Sequence, residues 1–310
     1  MTTAEPAKTT HRRLWIWAAQ AALAVVVLWF VWRSVADQLA DFSLLDLPLE
    51  VRWHRIAAAA GVVWLTYLML ISAWRAILLG WEQHLPLPTA AHIWCVSNLG
   101  RYLPGKLWSV AGLAVLAKRA GVEGWAAAAS ALAMQALSLG TGAAVAVAFL
   151  PQARSPLEFI AAIAVAAAGV VALTLKPMVR LLARLADGKI PLRPLPPLAV
   201  GLGASATLVA WLMYGLAFRL LALGILPDSA PSFGLAMGSF AGAYIIGLIA
   251  IFAPGGIGMR EGMLLAFLSP TIGAGPALAL SVASRLLLTF TEVVAALAAL
   301  PFGRRKGEAG

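Results

Sequence analysis

Apolar runs dominate this chain, and they come in two kinds. Six are unbroken and close to the length of about 20 mostly apolar residues that a helix needs to cross a bilayer. They cover residues 14–32, 56–79, 124–150, 159–175, 198–223 and 276–300. Two more runs are interrupted at their centres by Pro-Gly with charge beside the break. The first reads Ser97-Asn98-Leu99-Gly100-Arg101-Tyr102-Leu103-Pro104-Gly105-Lys106-Leu107-Trp108. The second reads Phe252-Ala253-Pro254-Gly255-Gly256-Ile257-Gly258-Met259-Arg260-Glu261-Gly262.

The first broken run offers 16 apolar-rich residues before the Pro-Gly and 11 after it. Neither half is long enough to span, so the pair reads as a re-entrant hairpin over 88–117. The second covers 233–270, and its longer first arm leaves a full span open there. Hydrocarbon tolerates non-helical backbone only where it is buried in protein or lines a polar cavity. Paired Pro/Gly-interrupted segments in the two halves of a chain are the sequence mark of a transporter's binding site. The predicted architecture is an all-α integral membrane protein with about six full transmembrane helices and two hairpins in an inverted repeat. Its membrane domain covers 14–303, between a tail at 1–13 and a basic tail at 304–310.

Composition agrees. The 310 residues are 62% hydrophobic and 12% charged, with mean hydropathy +0.88, more apolar surface than a soluble chain of this size hides. Ser34-Val35-Ala36 resembles a signal-peptidase site, but the apolar run before it has 19 residues with Trp15, Trp17 and Trp32 at its ends. That reads as an uncleaved anchor. Cys95 is alone, so there is no disulfide framework. The four histidines show no metal-ligand spacing, no cofactor motif appears, and His92 reads as a hydrogen-bonded interfacial residue.

The net charge of +10 does not point to nucleic acid, because the basic residues cluster in loops between apolar runs. With the N-terminus in the cytoplasm and both hairpins re-entrant, the inner side holds 13 Lys and Arg: three in the tail at 8–13, two at 118–119, five over 176–193 and three at 304–306. The outer side holds 4: Arg33, Arg52, Arg55 and Arg154. This positive-inside bias puts both termini in the cytoplasm of a bacterial-type inner membrane. Three spans separate the hairpins, so the first opens from the cytoplasm and the second from outside, with their tips near mid-membrane.

Six cations remain at membrane depth: Arg75, Arg101, Lys106, Arg219, Arg260 and Arg285. Arg75 and Arg219 lie near helix ends and read as snorkelling residues. The other four face only Glu261 and Glu292. Unpaired charge in hydrocarbon is unfavourable by several kcal/mol, so the surplus calls for an anion, and a lipid phosphate is the one at hand. Helix N-termini after each Pro-Gly add free N–H groups aimed at the tips. The expected headgroup site therefore comprises Asn98, Arg101, Tyr102, Pro104, Gly105, Lys106 and Trp108 on one break, and Pro254, Gly255, Gly256, Gly258, Arg260 and Glu261 on the other. Arg285 and Glu292, two turns apart on one helix face, offer supporting pairs: Glu261 with Arg285 and Arg101 with Glu292. Glu261 fits a helix-capping role and a transport role equally.

At Asn98–Lys106 with Trp108, at Ala253–Gly258, and at Arg260-Glu261-Gly262, the chain resembles the flippase-like membrane domain of lysylphosphatidylglycerol synthases and their stand-alone relatives. The resemblance covers nearly the whole chain. It implies translocation of a lipid, aminoacylated phosphatidylglycerol in the full-length synthases, where a soluble domain attaches the amino acid. No counterpart of that soluble domain is expected here, so neither is aminoacyl transfer. Some relatives are linked to hopanoid or polyprenyl-lipid pathways, which leaves the lipid open.

Three functions follow. The leading one is a flippase for an anionic phospholipid or polyprenyl phosphate. The alternatives are a membrane-embedded transferase, for which no cluster of carboxylates or histidines is visible, and a non-transporting partner of a lipid-modifying enzyme. The oligomeric state is not legible.

Overall fold

A computed structural model describes residues 51–102, 108–150, 193–249 and 258–303, with isolated positions between 164 and 175. These residues are helical throughout, joined by short turns. The helices are α1 (Trp53–Gly80), α2 (Leu87–Asn98), α3 (Trp108–Arg119), α4 (Gly124–Phe149), α5 (Pro197–Ile225), α6 (Phe233–Ile249), α7 (Met259–Ile272) and α8 (Ala274–Ala299). A 3-10 turn, Leu99–Tyr102, extends α2 toward the first Pro-Gly break, and another, Leu300–Gly303, ends α8.

Among the described residues, four helices are long and apolar enough to cross a membrane: α1, α4, α5, and α8 with its terminal turn. They match four of the six unbroken apolar runs to within a few residues. The run at 14–32 and most of the run at 159–175 lie outside the described residues. So do both Pro-Gly tips, at 103–107 and 250–257. Three of the four arms beside the tips are short, while α6, with 17 residues, reaches about 25 Å and leaves a full span open there. At about 1.5 Å per residue, the 12 residues of α2 and of α3 each cover about 18 Å, well under the roughly 30 Å of hydrocarbon. The 14 residues of α7 reach about 21 Å.

Local chemistry sets the boundaries. Pro88 opens the first turn of α2 and Pro197 that of α5, where a missing N–H is harmless. Gly258 has φ of +82° and Gly273 +86°, left-handed backbone that favours glycine. Glu261 accepts the Gly258 backbone N–H at 2.8 Å, so a carboxylate both caps α7 and faces its positive dipole end.

The helices meet through small residues, as expected where lipid gives no hydrophobic drive between helices. A Cβ on Gly215 of α5 would lie 2.4 Å from Met237 of α6, and one on Gly238 of α6 would lie 2.8 Å from the backbone at Phe149–Leu150. These approaches press α6 into the groove between α4 and α5. The polarity of α8 is that of a membrane protein turned inward: Ser281, Ser284, Arg285, Thr291 and Glu292 are buried, while Phe290 and Leu297 are exposed.

Two faces can be told apart. Arg52 N–H donates to Gly224 O, so the start of α1 and the end of α5 share one face. Phe149 and Gly234 meet on that same face. On the other face, Trp81 donates to Arg193 O, Glu123 N–H donates to Gln83, and His92 bonds to Ala299 O at 3.1 Å. The arms α2 and α3 thus begin and end on the Trp81 face. The start of α6 and the end of α7 lie on the Arg52 face.

Candidate functional site

The 3-10 turn after α2 aims Arg101 at three elements at once. Its Nη1 donates to Glu292 Oε1 of α8 at 2.8 Å and to the Tyr244 hydroxyl of α6 at 3.1 Å. Its Nη2 donates to Asn98 Oδ1 at 3.1 Å. Tyr102, next in the chain, is buried and donates to Glu292 Oε2 at 2.8 Å. Its hydroxyl also contacts Thr289 Oγ1 at 3.0 Å. Both oxygens of Glu292 are therefore engaged by the first broken segment. Tyr67 of α1 shares a hydrogen bond with Thr291 at 3.3 Å, tying the same stretch of α8 to the central helices.

The second broken segment has its own pair. Arg285 donates to Glu261 Oε1 at 3.2 Å, with both side chains largely buried. Arg260, one residue before, is 5% exposed and forms no ion pair among the described residues. It donates to Ser284 at 3.2 Å, and its guanidinium lies 5.0 Å from the centre of the Phe240 ring and 5.8 Å from that of Tyr244. Its Nε meets no acceptor among the described residues. Cation–π contact offsets part of the desolvation that burial imposes on such a charge. Tyr244 thus touches both cations, Arg101 through its hydroxyl and Arg260 through its ring.

Beside Arg101 lies a cavity of about 130 Å³. Asn98, Arg101 and Ser109 contribute to it from the first broken segment, and Glu292 from α8. The long helices supply Tyr67, Gln135, Ser138, Thr207, Trp211 and Tyr214, all near the middles of α1, α4 and α5, and Tyr244 comes from α6. Trp211 is fixed by its indole N–H to Ser138 O at 3.0 Å and lies edge-on to Tyr244, 5.4 Å between ring centres. A space at mid-helix depth, walled by aromatic and aliphatic side chains with polar groups set among them, can hold a headgroup away from bulk hydrocarbon.

The residues expected from the sequence fall into three groups. Asn98 and Arg101 line the cavity, and Tyr102 supports it through Glu292. Arg260, Glu261 and Arg285 form a second cluster one helix away, with Gly258 at its cap; Trp108 is 55% exposed at the start of α3 and does not line the cavity. Pro104, Gly105, Lys106, Pro254, Gly255 and Gly256 lie outside the described residues. Arg75 and Arg219 donate to Leu85 O and Pro231 O, in the loops beyond their helices, as snorkelling side chains do. Tyr67, Gln135, Trp211, Tyr214 and Tyr244 did not emerge from the motifs. A usable signal was present: tyrosines at mid-span, away from the interfacial belts where they usually collect, and one glutamine in the centre of an apolar run.

Long apolar helices, with buried charge beside a cavity at mid-helix depth, define an integral membrane protein. Residues 17–296 match the model of the lysylphosphatidylglycerol synthase TM region, and the chain belongs to that family. Neither a curated protein nor a solved structure matches it. Membership places it among membrane proteins of lipid metabolism.

Proposed function

We propose that this protein is a flippase or transporter that moves a lipid with an anionic headgroup between the leaflets of the cytoplasmic membrane. One observation carries the reading: the Arg101 cavity is lined by the first broken segment and by Tyr244 of the second, and the arms of the two segments start from opposite faces. In this reading both segments are re-entrant, both termini are cytoplasmic, and the tips with Lys106 and Pro254–Gly256 complete the site. Arg101 keeps guanidinium N–H groups beyond those bonded to Glu292, Tyr244 and Asn98, and a phosphate oxygen accepts from that planar fork well.

The site opens alternately because the Arg101 contacts are exchangeable. A phosphate that takes Arg101 loosens its hold on Glu292 and Tyr244, and Tyr102 stays to satisfy the carboxylate. The first broken segment is then free to shift against α6 while Tyr102 keeps it hinged on α8, a rocking motion that suits opposed repeats.

Purified protein in liposomes tests this with a fluorescent anionic phospholipid and a chemical quencher outside. Crossing well above protein-free vesicles is expected. Conversion of the lipid to a new product would support an embedded transferase instead. Neither crossing nor product, with folded protein, would leave the role of a partner to a lipid-modifying enzyme.

A further inference from the structure

Tyr214 has a space on each side of it. It lines the cavity beside Arg101, and it also lines a void of about 10 Å³, shared with Val63, Leu221, Phe240, Ser284 and Leu288. The two spaces are stacked along the helices. On α1 the cavity meets Tyr67 and Leu70, and the void meets Val63. On α5 the cavity reaches as far as Tyr214, and the void runs from Tyr214 to Leu221. On α6 the cavity meets Tyr244 and the void Phe240; on α8 the cavity meets Glu292 and the void Ser284 and Leu288. In all four helices the void therefore lies toward the Arg52 face. The first broken segment, which lines the cavity, has its arms on the Trp81 face.

Aromatic rings fill the boundary between the two. Tyr214 stacks on Phe240 at 5.7 Å between ring centres, and Phe240 on Tyr244 at 6.3 Å. Arg101 holds the Tyr244 hydroxyl on the cavity side. On the other side Arg260 lies against Phe240 and Tyr244 and donates to Ser284. Trp211 is tethered through its indole N–H to Ser138 O. Tyr214 has ring contacts with Trp211 and Phe240, and its hydroxyl has no hydrogen bond among the described residues. Turning that ring breaks no polar contact, and the void beside it leaves some room to turn.

We propose that Tyr214 is the gating residue of the transport path. Its ring closes the Arg101 cavity from the void at Ser284, which marks the collapsed half of the path toward the Arg52 face, and turning the ring joins the two. Tyr244 links this gate to the headgroup: a phosphate that takes Arg101 frees the Tyr244 hydroxyl, and the ring stack loses a polar anchor. The inference rests on the lipid-transport reading of the same cavity.

The test uses the full chain in liposomes, on a Cys95→Ser background, with Ala210→Cys and Ala217→Cys. These positions lie two turns apart on α5, the first lining the cavity and the second the void. They are equally buried, at 3% and 2% exposed, so burial alone expects equal reactivity. A small impermeant thiol reagent is applied from the Trp81 face. A minor open state is populated at about 0.1–10%, so position 217 should react at least about tenfold more slowly than position 210. Tyr214→Ala should bring the two rates together, and Tyr214→Phe, which keeps the ring, should not. Equal rates with Tyr214 in place overturn the gate, a comparison that needs no change at that residue. A folded Tyr214→Ala variant that keeps the parent ratio also overturns it. Crossing of a fluorescent anionic phospholipid in the same vesicles reads transport separately. Crossing with equal labelling rates leaves transport standing and removes the gate. A rate difference abolished by Tyr214→Ala, with no crossing by the parent, overturns the transport reading and leaves Tyr214 a fixed partition.

Discussion

Arg101 donates to the hydroxyl of Tyr244 at 3.1 Å, and that bond joins the two broken segments across 143 residues of sequence. The same guanidinium holds Glu292 at 2.8 Å, so one side chain ties both segments to the last helix. Ion pair and site are therefore the same object, which shapes how variants must be read.

Arg101→Ala removes the cation that a phosphate would use and leaves Glu292 with Tyr102 alone. Lipid movement should stop and the melting temperature in detergent should fall. Adding Glu292→Gln should recover part of the stability and none of the transport, because the orphaned charge is gone and the anion site still is. Lys106→Ala, at the adjoining tip, should stop movement with little change in melting. Parent-rate translocation by Arg101→Ala/Glu292→Gln and by Lys106→Ala would sink the anion-site reading.

The Glu261–Arg285 pair separates a structural role from proton coupling. Losing one member of a buried pair commonly destabilises by about 3–5 kcal/mol. Glu261 is 14% exposed and Arg285 5%, and Glu261 also caps α7. Glu261→Gln and Arg285→Gln should each lower the melting temperature, and the double variant should regain part of the loss. A proton-coupling role instead expects Glu261→Gln to keep its stability and lose the pH dependence of transport. Melting curves beside transport rates at two pH values choose between them, and additive destabilisation counts against pairing.

Orientation can be read by cysteine labelling on a Cys95→Ser background. Gly121→Cys, in the turn after α3 on the Trp81 face, should react only from the cytoplasmic side. Asp228→Cys, between α5 and α6 on the Arg52 face, should react with an impermeant reagent outside. Labelling of position 121 from outside, or of 228 only from within, would reverse or break the proposed topology.

Packing of α6 makes a sharper demand than hydropathy does. Gly238→Ala puts a methyl 2.8 Å from the backbone at Leu150, which cannot swing aside as a side chain would. Overpacking of this kind costs about 1–3 kcal/mol, so thermal stability should fall, and transport with it, since α6 carries Tyr244. Gly61→Ala in α1, where nothing lies within 4 Å of the added carbon, should melt at or slightly above the parent temperature. Equal melting of the two variants would argue against the close approach.

The ends of α1, α4, α5 and α8 were readable within a few residues because lipid leaves a chain little choice. Every backbone N–H and C=O at membrane depth must be satisfied within its own segment, so an apolar run of sufficient length declares a helix. The pairing of Arg101 with Glu292 and of Arg285 with Glu261 was legible for a similar reason: few charges occur at that depth, and each is too unfavourable alone to lack a partner. The relation between Arg260 and its rings was not legible, since nothing in the sequence distinguishes Phe240 and Tyr244 from other aromatics of an apolar helix.

The cavity itself belongs to tertiary structure. Trp64 and Trp211 are alike in sequence, each a tryptophan inside a spanning run, yet the first is 36% exposed and donates to Thr291 O of α8, and the second is 4% exposed in the cavity wall. Which way an aromatic side chain turns depends on where small residues let neighbouring helices close in, and those contacts lie far apart along the chain: Gly215 against Met237, Gly142 against Trp211, Gly238 against Phe149. By itself the sequence determined which segments enter the membrane and which charges must find each other, because the bilayer penalises every unsatisfied polar group locally. Only the packing of α1, α4, α5 and α6 around the first broken segment decided that Gln135, Tyr214 and Tyr244 would line one space beside Arg101, because a cavity is set by the gaps between helices and not by any one of them.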